Sequence, residues 1–113
     1  MSGLIESSEH RVILSTAPSA EVATSLTTGA LEKRLAACVQ QLPGMQSHYW
    51  WDGAIQSDQE ILLLFKTHID QTEALAQFIK EAHPYDTPEL IEIPITKGSQ
   101  SYLDWITENV NGT

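Results

Sequence analysis

The order of hydrophobic and polar positions along the chain switches repeatedly between a period of two and a period near 3.6, and each switch marks an element boundary. Arg11-Val12-Ile13-Leu14-Ser15-Thr16-Ala17 is rich in β-formers and stops at Pro18, which predicts a first strand. Ser19 then caps a helix expected to run to about Leu35, with Val22, Leu26 and Ala30 as its buried stripe. Gly29 inside that helix costs ~1 kcal/mol relative to Ala, so another backbone is expected to approach there. Ala37 to Leu42 predicts a second strand, interrupted by Pro43-Gly44 and resumed from Met45 to Trp51. A proline at that point fits an edge strand or a bulge. Asp52-Gly53 is the strongest hairpin signal in the chain, because a type I′ turn needs two residues tolerant of positive φ. The return arm leads into Glu60–Thr67, whose apolar run Ile61–Phe65 predicts a strand buried on both faces.

Asp70-x-x-Glu73 has the spacing of a capping box, and Leu75, Phe78, Ile79 and Ala82 give a one-sided helix that ends at His83-Pro84. Ile91, Ile93 and Ile95 alternate as a fourth strand. Ser101-x-x-Asp104 opens a short last helix, with Tyr102, Leu103 and Ile106 facing inward and Val110 near its end. The order is βαββαβ plus a terminal helix. It predicts an α+β, ferredoxin-like domain over residues 11–113, in which a four-stranded antiparallel sheet carries two helices on one face. Residues 1–10 show no periodicity and are expected to be a frayed tail. Each hairpin arm is about 14 residues, far beyond the ~5–6 of an ordinary strand. Such arms place Tyr49, Trp50 and Trp51 beyond the body of the domain, where another subunit is needed to cover them.

Composition narrows the functional classes. The chain has 113 residues, with 6 basic and 15 acidic ones, for a net charge of −9. That is one domain whose field repels a phosphate backbone, so nucleic-acid binding is not expected. The single Cys38 precludes an internal disulfide and fits a reducing compartment. Residues 1–10 carry no apolar run of a signal peptide, and no stretch reaches the ~20 apolar residues of a membrane span. A cytoplasmic location is the expectation.

The chemistry concentrates in His83-Pro84-Tyr85-Asp86-Thr87-Pro88-Glu89, a histidine, a phenol and carboxylates in a loop stiffened by two prolines. His83 is either a metal ligand, with Glu89 or a residue of another subunit, or a polar helix C-cap. Tyr85 and Glu89 either orient a ligand or simply pack. Cys38 is either a ligand or a small core residue, and Lys66 either binds an anion or snorkels to the sheet edge. His48 and His68 have no partners at metal spacing and read as surface residues. With no phosphate loop, zinc pattern or nucleophile elbow, nothing points to an enzyme.

Arg34-Leu35-Ala36-Ala37-Cys38-Val39, Pro43-Gly44, Tyr49-Trp50-Trp51-Asp52-Gly53, Glu60 with Lys66-Thr67, the segment His83–Glu89 and Tyr102-Leu103-x-Trp105 together resemble the CutA divalent-cation tolerance proteins. The resemblance spans about residues 11–110. It implies a homotrimer of ferredoxin-like subunits whose long hairpins pair between copies, bacterial cytoplasmic residence, an association with Cu²⁺ or other divalent cations, and no agreed enzymatic activity. It also implies an architecture similar to the PII signalling proteins, which leaves a second reading: a signalling or scaffold trimer that binds a small molecule or partner at the inter-subunit cleft. The sequence departs from some bacterial members at Ser15, where they have a cysteine, and at Ala82, where they have a second histidine. Copper favours thiolate and imidazole, so His83 alone predicts a weaker copper site.

Overall fold

Alternation along one central strand gives the sheet two faces of different character, and the other elements divide between them. The structure, a computed structural model that describes residues 3–110, runs β1 (Ile5–Glu6), β2 (His10–Ala17), α1 (Ala20–Glu32), β3 (Cys38–Trp51) and β4 (Ala54–His68). A single 3-10 turn, Ile69–Gln71, leads to α2 (Thr72–Ala82), then β5 (Ile91–Pro94), β6 (Lys97–Gly98) and α3 (Gln100–Glu108). The main sheet has the order β3-β4-β2-β5 with every neighbouring pair antiparallel. Among the described residues, no helix is long and apolar enough to cross a membrane.

Ile13 and Ala17 of β2, with Leu63 and Phe65 of β4, form the core with Ala23, Leu26 and Ala30 of α1 and with Leu75 and Ile79 of α2. The alternate residues of β2 and β4 face the other way. There, Val12, Leu14, Leu62 and Leu64 are only half-buried, Leu42 is 59% exposed and Ile91 is 48% exposed. Helix α3 lies across one end of this second face, where Thr107 meets His10 and Tyr102 meets Lys66. The run Ile61–Phe65, expected to be buried on both faces, is thus buried on one and half-covered on the other.

The hairpin follows the sequence closely. β3 and β4 have 14 and 15 residues. Their register shifts between Leu42 and Met45, at Pro43-Gly44, where Gly44 has φ +82° on an edge strand. Asp52 and Gly53 take φ 52° and 75°, as a type I′ turn demands. The arms stretch the molecule to 50 × 31 × 21 Å, and its radius of gyration is 15.1 Å. A compact chain of this length would have about 13 Å.

Several local expectations change. The segment expected to fray instead pairs Ile5 and Glu6 with Gly98 and Lys97, and Ser7 N–H donates to Thr96 O; residues 1–2 lie outside the described residues. Helix α1 stops at Glu32 because Arg34 turns left-handed, φ 58°, and Leu35 N–H closes back on Ala30 O. The Asp70-x-x-Glu73 box does not form; the ring of His68, expected at the surface but buried, accepts from Asp70 N–H instead. Ser99, not Ser101, caps α3, which turns Tyr102 partly outward. Ser15 faces the core, and its Oγ is buried with no hydrogen-bond partner among the described residues.

Gly29 is opposed by a ring, not a backbone: a Cβ there would collide with Phe78 Cζ. Overpacking of this kind costs ~1–3 kcal/mol, more than the ~1 kcal/mol of helix propensity an alanine adds. Gly29→Ala is therefore expected to lower the denaturant midpoint. In a Phe78→Leu background, which empties the contested space, the same change should raise it.

Candidate functional site

Three segments converge beyond the end of β2: the last residues of that strand, the mid-length of the β3–β4 hairpin, and the loop that follows α2. Together they enclose a cleft of about 640 Å³. Asp58 and Glu60 sit two apart on β4 and so share one face of the hairpin. Asp86 and Glu89 enter from the loop opposite, so among the described residues four carboxylates line the space and no lysine or arginine does.

Hydrogen bonds set the walls. Thr16 Oγ1 donates to Glu60 Oε2 over 3.0 Å, and Tyr85 OH donates to the same oxygen over 3.5 Å. Tyr49 OH donates to Asp58 Oδ2. Burial, with the charges of Glu60 and Asp58 behind it, pushes the Tyr85 phenol above its ordinary value. The bond to Asp58 pushes Tyr49 up to about 12. Both phenols are therefore protonated donors at neutral pH, aimed at carboxylate oxygens. His48 lies at the rim, with Nδ1 2.7 Å from Ser57 Oγ.

His83 stands behind the cleft wall and does not line it. Pro84 forces the preceding residue out of the helical region, so His83 ends α2 with φ −80° and ψ 139° while its N–H still reaches Ile79 O. The side chain is 7% exposed. Nε2 lies 2.7 Å from Thr16 O, a carbonyl that can only accept, so Nε2 carries the proton. Nδ1 accepts from Tyr85 N–H at 3.1 Å. The Tyr85 ring rests on the imidazole, with centroids 4.7 Å apart. Both nitrogens are thus committed to backbone groups, and the ring acts as a clasp between β2 and the loop. Among the described residues of this chain the metal-ligand expectation for His83 meets no free lone pair. Among the described residues, no three His, Cys, Asp or Glu side chains converge closely enough to hold an ion.

Of the other sequence candidates, Tyr85, Glu89, Tyr49 and Trp51 reach the cleft. Trp50 points out of the hairpin tip, 73% exposed, across from Ile55. Cys38 and Lys66 are register partners on β3 and β4, away from the cleft. Lys66 Nζ bonds Tyr102 OH at 3.1 Å and sits 5.3 Å from that ring, which anchors it to α3. Thr16 and Asp58 are not among the candidates of the sequence, Glu60 enters there only through the family resemblance, and His48, read as a surface residue, is exposed and reaches the cleft rim. The i, i+2 spacing of the two acids was the available signal for Asp58 and Glu60.

If His83 is a clasp, its removal must cost stability whether or not a metal is present. His83→Ala leaves Thr16 O and Tyr85 N–H without their partners and opens a void, so a loss of about 2–4 kcal/mol is expected in chelator-treated protein. A chemical denaturation curve in EDTA measures it. An unchanged midpoint would remove the clasp role.

Residues 11–109 match the family described as CutA1 divalent ion tolerance protein. The divalent-cation tolerance protein CutA of Thermus thermophilus is 46% identical over 100 residues, covering 88% of this chain and 97% of that one. The solved CutA of Synechococcus elongatus superposes with a TM-score of 0.91 at 37% identity, over 96% of each chain. A further structure of the same relative is described as complexed with a Bis-Tris molecule, with a TM-score of 0.88 at 36% identity over 95% of this chain and 99% of that one. A structure from Archaeoglobus fulgidus, described as a periplasmic divalent cation tolerance protein CutA, has a TM-score of 0.87 at 39% identity and covers 90% of this chain and 99% of that one.

Proposed function

The chain belongs to the CutA1 divalent ion tolerance protein family, and we propose that it is a non-enzymatic homotrimer that takes up a divalent cation in the carboxylate-lined cleft. The observation that carries this reading is the cleft itself: Asp58, Glu60, Asp86 and Glu89 around one space, opposed by no cationic side chain. The cation is held by oxygen donors, with His48 the imidazole nearest to hand. The affinity of any one site along the first-row divalent series peaks at Cu²⁺, so Cu²⁺ is the ion to try first, while carboxylate oxygens by themselves suit harder ions such as Mn²⁺ and only His48 adds a donor that copper prefers. His83 contributes by holding the loop, not by ligation.

Assembly supports the same reading. The second face of the sheet exposes Leu42 and Ile91 beside half-buried Val12, Leu14, Leu62 and Leu64, and the hairpin tip exposes Trp50, Trp51 and Ile55. Apolar surface on this scale, flanked by the free edges of β3 and β5, calls for copies of the same chain. Three copies of a ferredoxin-like subunit, with neighbouring hairpins closing the clefts, is the arrangement we propose. A neighbour then supplies the further donors that the single chain lacks. The single Cys38 favours a reducing cytoplasm, although the Archaeoglobus fulgidus relative is described as periplasmic. The Bis-Tris complex of the Synechococcus elongatus relative keeps the PII-like reading as the second one, in which the same cleft takes a small organic molecule.

Calorimetric titration with Cu²⁺ in a non-coordinating buffer tests the site. Asp58→Asn with Glu60→Gln preserves shape and hydrogen-bond acceptors but removes two charges, and should weaken binding at least about tenfold. His48→Ala should weaken Cu²⁺ more than Mn²⁺. Light scattering of the same sample should give three subunits. Cu²⁺ heats unchanged by the double variant would overturn the cleft as the binding site.

A further inference from the structure

At the end of the sheet remote from the cleft, two buried histidines face each other across the β2–β4 ladder. His10 and His68 are register partners, both under a tenth exposed, with ring centroids 5.7 Å apart and planes at 82°. Neither belongs to the cation cleft. His10 is the middle of a hydrogen-bonded chain that joins the N-terminal turn to α3. Its Nδ1 lies 2.6 Å from Ser7 Oγ and its Nε2 lies 2.9 Å from Thr107 Oγ1, and Thr107 Oγ1 donates to Leu103 O over 3.3 Å.

That chain has only one direction. The Leu103 carbonyl can only accept, so the Thr107 hydroxyl gives it its proton and accepts from His10 Nε2–H. The ring is then neutral, with the lone pair on Nδ1, and Ser7 O–H donates to it. Ser7 Oγ has two lone pairs, and two backbone donors already use them: Glu9 N–H at 3.3 Å and His10 N–H at 3.2 Å. A second proton on the ring would put an N–H against an oxygen with no lone pair left for it.

We propose that His10 is an acid-sensitive latch: protonation at Nδ1 breaks the Ser7 turn and frees β1 from β6, while the Nε2 bond keeps α3 in place. The neutral ring is the only form that fits all four hydrogen bonds of Ser7 and His10 at once. The charged ring keeps its donor toward Thr107 and loses its donor from Ser7. Among the described residues β1 pairs through Ile5 and Glu6, with Ser7 N–H on Thr96 O beyond them, and the far side of the turn is held by the Arg11 guanidinium on Ser8 O and His10 O and by Ile69 N–H on Glu9 O.

The surrounding charges act in both directions. Glu9 from the turn stands 3.4 Å from His68 Nε2, and Asp70 from the 3-10 turn stands 3.4 Å from His68 Nδ1. Glu6, Asp104 and Glu108 line the adjoining cleft of about 470 Å³, and Lys97 lies across from Glu6. Burial first and the neighbouring His68 second disfavour a charged His10, whereas the Leu103 carbonyl and then the carboxylates Glu9 and Asp104 favour it, and the balance lowers its pKa below 6.5. A depressed histidine pKa in the closed form means that the open form binds the proton better. The latch is therefore at full strength above 6.5 and weakens as pH falls through 6.5 toward the closed-form value.

Hydrogen exchange of the full-length protein read by NMR, corrected for intrinsic rates, tests the latch. Between about pH 7.5 and about pH 5.5, protection of the Ser7, Glu9 and His10 amides should fall, by at most about tenfold per pH unit. Amides of α3 and of central β4 should hold their protection, and the His10 ring should titrate below 6.5. His10→Gln keeps an acceptor and a donor but cannot charge, and should remove the pH response of the three amides. If His10→Gln does not fold, Ser7→Ala gives the decision at the Ser7 amide alone, whose bond to Thr96 O it leaves in place, because Nδ1 can then be protonated without breaking a bond. Unchanged wild-type protection, a His10 midpoint at or above 6.5, simultaneous loss at α3, or a response that survives whichever variant folds would each overturn the proposal.

Discussion

The β2–β4 ladder is the constraint on which the molecule depends. Its register, His10 opposite His68 through Ala17 opposite Ile61, fixes which residues face α1 and α2 and which face outward. A slip of β4 by one residue would exchange its two sets, placing Leu63 and Phe65 in the open and Leu62, Leu64 and Lys66 in the core. The same ladder sets the two ends of the sheet apart. At one end Thr16 reaches Glu60 and receives His83; at the other His10 and His68 meet under α3.

Function follows from how that frame is left unfinished. One face is closed by two helices around a continuous core. The other is apolar but only partly covered, and the hairpin carries its aromatic tip clear of the body. The cleft lies where the covered frame and the projecting hairpin meet, which is why its walls come from three separate segments. Tyr49, Tyr85 and Thr16 orient the acids at that junction, and the His83 clasp keeps the loop against β2. In the proposed reading, structural roles and cation-facing roles therefore fall to different residues, although His83, Tyr85 and Glu89 are near neighbours in the chain.

Much of the frame was legible because it is written in periodicity. The hairpin turn at Asp52-Gly53, the bulge at Pro43-Gly44 and the one-sided helix through Leu75 and Ile79 each have a local physical signature. The β1–β6 pair was not legible, since two-residue strands are too short to show a period. Caps were misread for a related reason: several side chains near a helix start compete for the same amides, and His68 and Ser99 took them in place of Asp70 and Ser101. At the site, Tyr85 and Glu89 were visible because they sit in one dense loop. Asp58 and Glu60 belong to a hairpin that looks structural, and only its fold against the loop gives them a shared space. The role of His83 could not be read from spacing, because it depends on whether each ring nitrogen finds a backbone partner, and Thr16 is 67 residues away.

The central claim is that the imidazole of His83 holds the loop while oxygen donors of the cleft hold the ion. Its most direct test is nitrogen NMR of the His83 ring during titration with Zn²⁺, a diamagnetic ion that shifts a coordinated imidazole nitrogen strongly. The account predicts a neutral ring protonated at Nε2 before and after the ion is added, while signals from Asp58, Glu60 and Glu89 move. A His83 Nδ1 that becomes metal-bound as the ion is added, with Tyr85 N–H released, would contradict it.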